Sequence, residues 1–143
     1  MLQFLDGFNV SLLTLGQTES GKTFLLHGPK ANRQGSGLLS NISSNLFNNI
    51  DKKISDCGYH YGGVSKVGIQ SFEIYSELAR DLLDPSRDGL DIEMDESEGP
   101  LVRGLSTKWV SNHHELNQWI GLVRLRVHTH TCIGAIESSR RKQ

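Results

Sequence analysis

Gly16-Gln17-Thr18-Glu19-Ser20-Gly21-Lys22-Thr23 fills every fixed position of the pattern G-x-x-x-x-G-K-[ST]. Each residue type in that pattern suits polyphosphate chemistry. The glycines let backbone N–H groups curl around phosphate oxygens at a helix N-terminus, where the macrodipole favours anions. Lys22 offers a point charge to the β- and γ-phosphates, and the Thr23 hydroxyl suits a Mg²⁺ ion bridging the same groups. Glu19 is the unusual member. A carboxylate pointing into a triphosphate site repels its ligand, so this side chain is expected to face solvent or to lower the affinity. The plain alternative is a glycine turn capping a helix, which the surrounding strand-loop-helix pattern disfavours.

Positioning such a loop requires a strand before it and a helix after it. Val10, Leu12, Leu13 and Leu15 form an apolar run ending at Gly16, the pattern of a buried strand in a parallel sheet. Residues 23–27 can begin a helix, which Gly28-Pro29 and a polar loop over residues 30–37 interrupt. From Leu38 the positions Leu39, Ile42, Leu46, Phe47, Ile50 and Ile54 predict one buried helical face. Its serines and asparagines are weak helix formers, so packing must hold that helix together.

Residues 67–75 alternate apolar and polar side chains as a half-buried strand does, and Asp84-Pro85 closes the segment after it. Residues 90–94 make a weaker strand candidate, followed by an acidic turn over residues 95–99 and an apolar piece over 101–110. Ser111 is the expected N-cap of a last helix. Glu115 lies in its first turn, Leu116, Trp119, Ile120 and Val123 on its inner face, and Arg124 and Arg126 at its C-terminal end. Phe72, Trp109 and Trp119 are expected in or near the core. The pattern as a whole is α/β, of the phosphate-loop NTPase class.

Composition excludes several functions. Across 143 residues, 36% hydrophobic and 22% charged is the balance of one globular domain. Fifteen basic against sixteen acidic residues leave no general basic field for nucleic acid or an anionic membrane. Residues 1–6 lack the basic and apolar regions of a signal peptide, and no run is long enough for a membrane span. Cys57 and Cys132 lack metal-type spacing and are expected to be reduced thiols of an intracellular protein. His113, His114, His128 and His130 have no acidic or cysteine partner at ligand spacing. Asp91, Glu93, Asp95, Glu96 and Glu98 are expected to form a solvated turn.

The residues around the loop resemble one family. Leu5-Asp6-Gly7-Phe8-Asn9-Val10, then Gly16-Gln17-Thr18 and Ser20-Gly21-Lys22-Thr23-Phe24, resemble the kinesin signature of a "DGYN" element before "YGQTGSGKTYTM.G". Leu15 replaces the usual tyrosine, and Glu19 a small residue. Independently, residues 71–77 and Arg80-Asp81-Leu82-Leu83 are similar to the kinesin "SFLEIYNE…RDLL" segment. Gly37-Leu38-Leu39 and Val102-Arg103-Gly104-Leu105 with Val110 match further pieces. Ser138-Ser139-Arg140, after Gly121, Arg126 and Thr131, resembles the switch I pattern "G…R…T..N..SSRSH", with one extra residue, Gly134 for asparagine, and Arg141-Lys142 for serine-histidine.

The resemblance covers the chain but only the middle of a motor domain, and it implies a partial α/β kinesin motor fold over residues 1–143. In the family, the neighbours of the 10–15 strand come from other parts of the domain. The resemblance also implies Mg-ATP on residues 16–24: Gly16, Gln17, Thr18, Glu19, Ser20, Gly21, Lys22 and Thr23, with Phe24 near adenine. Thr23 and Ser139 would hold Mg²⁺; Ser138, Ser139 and Arg140 would face the γ-phosphate and a switch II carboxylate. In the complete protein this implies a microtubule-stimulated ATPase of the cytoplasm and cytoskeleton, touching tubulin mainly through segments outside this chain. The chain alone is expected to turn over little ATP, because switch II lies outside it. A second function stays open: a degenerate kinesin-like module that binds nucleotide weakly or only binds partners, suggested by Glu19, Gly134, Arg141 and the acidic turn. A phosphate-loop NTPase of another family is a third.

Overall fold

The computed structural model describes residues 2–17, 19–29, 36–56, 65–75, 78–97 and 99–140, except for the side chains of Leu2 and of residues 128–140. Cys57, Thr18 and the side chain of Cys132 lie outside the described residues. Two units emerge, residues 1–66 with 111–117 and residues 67–110 with 118–143.

The first unit is built from helices α1 (Leu2–Leu5), α2 (Lys22–His27) and α3 (Leu38–Asp56) and the start of α4 (His113–Arg140). Helix α3 is the one its periodicity predicts. It buries Leu46, Phe47 and Ser43, and a buried hydroxyl needs a partner. Ser43 Oγ donates to the His113 carbonyl at 3.2 Å, tying the first turn of α4 to α3. At the other end of α3, Lys53 Nζ donates to the Leu5 carbonyl (3.0 Å) and the Asp6 carboxylate (2.5 Å). The chain turns out of α2 at Gly28 (φ 76°), and Gly37 packs onto that turn. A β-carbon on Gly37 would strike the backbone of Leu26, His27 and Gly28, so the approach requires glycine.

The apolar run over residues 10–15 is not a strand. Residues 8–16 lack regular structure, and Val10, Leu12, Leu13 and Leu15 are 54, 54, 77 and 87% exposed. A strand exists only through its ladder, and among the described residues none pairs with this run. Its apolarity fits the absent neighbours that the resemblance implies.

In the second unit, three antiparallel pairs replace a continuous sheet. They are β1 (Val67–Ile69) with β6 (Lys108–Val110), β2 (Phe72–Tyr75) with β3 (Leu78–Asp81), and β4 (Ile92–Asp95) with β5 (Gly99–Val102). The single strand expected over 67–75 is therefore broken at Gln70-Ser71. There the Ser71 carbonyl accepts from Leu82 N–H at 2.9 Å, and the Gln70 amide bonds Thr107 at 3.0 Å. In the register Phe72↔Asp81 and Ile74↔Ala79, Phe72 and Ile74 are exposed while Glu73 is half-buried beside Arg80. Their cross-strand partners Asp81 and Ala79 are buried, so this face is covered over β3 and left in solvent over β2. Trp109 is likewise 66% exposed rather than in the core. Its ring lies across the register from Gly68, within 3.0 Å of where a β-carbon would stand.

Asp81 anchors this unit. Its side chain is buried, as are Ala79, Leu82, Leu83 and Val110. One carboxylate oxygen accepts from Leu83 N–H (2.7 Å) and Asp84 N–H (3.1 Å), the other from Ser106 N–H (2.7 Å). Burial alone would raise this carboxyl's pKa. The bonds from Ser106, Leu83 and Asp84 outweigh that and hold it below its ordinary value.

Helix α4 starts one residue later than expected. Asn112 is the cap, its Oδ1 accepting from Glu115 N–H at 2.9 Å, while the Glu115 carboxylate reaches back to Ser111 N–H at 2.9 Å. Arg124 and Arg126 are not at the helix end, since α4 runs on to Arg140. The Arg126 guanidinium donates to the Leu82 carbonyl. Leu116, Trp119, Ile120 and Val123 are half-buried, as their spacing predicts. Lys108 Nζ sits 5.5 Å from the centre of the Trp119 ring.

Candidate phosphate-binding site

The loop over residues 16–23 turns on positive-φ positions. Gly16 (φ 153°) and Gly21 (φ 92°) adopt them freely, and Glu19 takes φ 66° without being glycine. Ser20 N–H closes a tight turn on the Gln17 carbonyl at 3.2 Å, with Glu19 at its third position, where glycine or asparagine is usual for positive φ. A β-carbon on Gly16 would lie 2.5 Å from Ser20 Oγ. A side chain there would displace the Ser20 hydroxyl.

Lys22 folds back over this loop. Its Nζ donates to the carbonyls of Gly16 (2.7 Å) and Gln17 (2.6 Å). An ammonium has three N–H donors, so the two carbonyls fix its position and one donor remains for an anion. Leu25 N–H makes a helical bond to the Gly21 carbonyl at 2.9 Å, so the N–H groups of Lys22 and Thr23 precede it. Thr23 and Phe24 are exposed, the latter at 64%. Glycine space, a tethered lysine, leading N–H groups and an accessible hydroxyl form a donor set that fits a metal-bound polyphosphate.

Of the residues expected at the site, Gly16, Gln17, Glu19, Ser20, Gly21, Lys22, Thr23 and Phe24 fall together on this loop and the start of α2. Thr18 lies outside the described residues. The backbone of Ser138, Ser139 and Arg140 is the last turn of α4, in the second unit, and their side chains are outside the described residues. The lysine tether and the strained turn at Glu19 were not foreseen. The Lys22 spacing to Gly16 and Gln17 carries the first; a bulky residue between glycines signals the second.

A groove of about 430 Å³ in the second unit is lined by Tyr75, Leu78, Arg80, Asp88 and Gly89. Asp88 grips Arg80 at 2.9 and 3.0 Å and raises its pKa, so the guanidinium is already committed to carboxylate. At the β4–β5 tip Asp95 accepts from Ser97 N–H and Oγ at 2.8 and 2.7 Å, and Arg103 pairs with Glu93. That is the hydrogen-bonding of a solvated turn. Among the described residues, no helix is long and apolar enough to cross a membrane.

Comparison with known proteins brings these features under one description. The family model for the kinesin motor domain matches residues 1–142. Over 112 residues, 78% of the chain, the sequence is 34% identical to kinesin heavy chain of Strongylocentrotus purpuratus. It is 33% identical over 116 residues to kinesin heavy chain of Caenorhabditis elegans, and 31% identical over 112 to human kinesin-1 heavy chain. The chain spans 10, 14 and 11% of the length of these relatives. A solved structure of a fast kinesin superposes with a TM-score of 0.63 at 26% identity, covering 78% of this chain and 30% of that one. The fold is thus part of the kinesin motor's α/β architecture.

Proposed function

Because the chain belongs to the kinesin motor domain family, we propose that residues 16–24 hold Mg-ATP and that residues 1–143 form part of a motor domain moving along microtubules. The observation that carries this is the tether of Lys22 to the Gly16 and Gln17 carbonyls, which keeps its remaining N–H available at the loop. Bound there, Mg-ATP supplies the phosphoanhydride whose γ-phosphoryl group passes to water. The chain's own residues bind and orient. Lys22 neutralises phosphate charge, Thr23 offers its hydroxyl to the metal, and the exposed Phe24 ring gives adenine a stacking face. Ser138 and Ser139 are assigned to the γ-phosphate, Ser139 also to the metal, and Arg140 to a switch II carboxylate outside this chain. The solved relative is described as an ATPase interacting with microtubules, and the same partner, with a cytoplasmic and cytoskeletal location, is assigned here.

Mg-ATP binding and microtubule-stimulated phosphate release by the complete protein test the reading. Stimulated release supports it; a folded protein with neither property overturns it. Two observations favour a non-motor kinesin-like module instead: the strained carboxylate at Glu19 and the acidic β4–β5 hairpin, whose charge would repel acidic tubulin. ATP binding with no response to microtubules would select that second reading.

A further inference from the structure

Glu19 combines two unfavourable features. Its backbone is left-handed, at φ 66°, in the turn closed by Ser20 on Gln17, a conformation free to glycine and strained for glutamate. Its carboxylate is exposed, and among the described residues no cation pairs with it. The loop's own cation makes no ion pair with it, Lys22 Nζ being turned onto the Gly16 and Gln17 carbonyls. Glu19 stands three residues from both Gly16 and Lys22, roughly 10 Å of chain at most, about one Debye length at 0.1 M salt. Any polyphosphate held by this loop therefore feels its charge.

We propose that Glu19 is the affinity-setting residue of this site, weakening nucleotide binding by charge and making it depend more steeply on a divalent cation. The inference rests on the phosphate-loop reading above. Repulsion scales with ligand charge. Free ATP, which carries two more negative charges than Mg-ATP, is penalised most, and ATP more than ADP. The site thus accepts nucleotide chiefly as the metal complex.

Calorimetric titrations of the full-length protein with ATP and ADP, with and without Mg²⁺ and at low and high salt, test this on Glu19→Gln and Glu19→Gly. Glutamine removes the charge and keeps the left-handed strain; glycine removes both. Glu19→Gln is expected to tighten Mg-ATP about fivefold and metal-free ATP about twentyfold, with both gains shrinking at high salt. Glu19→Gly should do at least as well. If Glu19→Gln stays within twofold of the parent for both ligand forms while all three proteins bind, the inference is overturned and the phosphate-loop reading stands. Should none of the three bind while circular dichroism shows unchanged helix content, the reading itself falls and the inference with it.

Discussion

The two units close their chains by opposite means. In the first, backbone lies against backbone where Gly37 sits on the turn out of α2, and the phosphate loop holds Lys22 by two of its carbonyls. In the second, a buried carboxylate does the closing, with Asp81 collecting N–H groups from two separate loops. A glycine contact resists addition of atoms, whereas a buried anion resists removal of its charge. The difference teaches where each unit is vulnerable, the first to added bulk at Gly37 and the second to loss of the Asp81 charge.

The largest effect should come from the anion. Asp81→Ala leaves three backbone N–H groups and the Ser106 hydroxyl without their acceptor, and should cost about 4 kcal/mol in urea denaturation followed by circular dichroism. An effect under about 1 kcal/mol would show that water replaces the carboxylate, and the contrast between the units would be lost. The same group predicts an acid limb. Its folded pKa lies below the unfolded one, so its contribution is complete above about pH 4 and is lost as pH falls through the depressed value. Asp81→Asn should flatten that part of the stability profile.

Next comes Gly37→Ala, which forces a methyl group against the backbone of residues 26–28 and should cost about 2 kcal/mol by the same denaturation. Replacing the α4 cap, Asn112→Ala, removes one side-chain acceptor and should cost about 1 kcal/mol. An effect of the same size has the opposite sign: Glu19→Gly relieves the left-handed turn and should stabilise the first unit by about 1 kcal/mol. A loss there would mean that the Glu19 side chain supports the loop, and the strain argument would fail.

Helices and the phosphate loop were legible in the sequence because their signals are local. The three- and four-residue spacing from Leu38 needs no partner to be read, and the glycine-lysine pattern carries its own geometry. Strands were read less well, because alternation does not say what pairs with what. The apolar positions of residues 67–75 shift from odd (Val67, Ile69) to even (Phe72, Ile74) across Gln70-Ser71, and the chain breaks there, where Leu82 and Thr107 bind it. Phe72 and Ile74 stand in solvent although Asp81 and Ala79 across the register are buried, a difference between two strands on one face that alternation does not carry. The 10–15 run has the composition of a strand, and among the described residues nothing pairs with it to make it one. Around α4, Ser111 and Asn112 are both good caps, and the geometry chose the second.

Trp109 over Gly68 and Trp119 beneath Lys108 are the two tryptophans of the chain, and both belong to the second unit. The unit that carries the phosphate loop has none. A change in indole emission when nucleotide is added would therefore be read out from residues of the second unit, with no label attached.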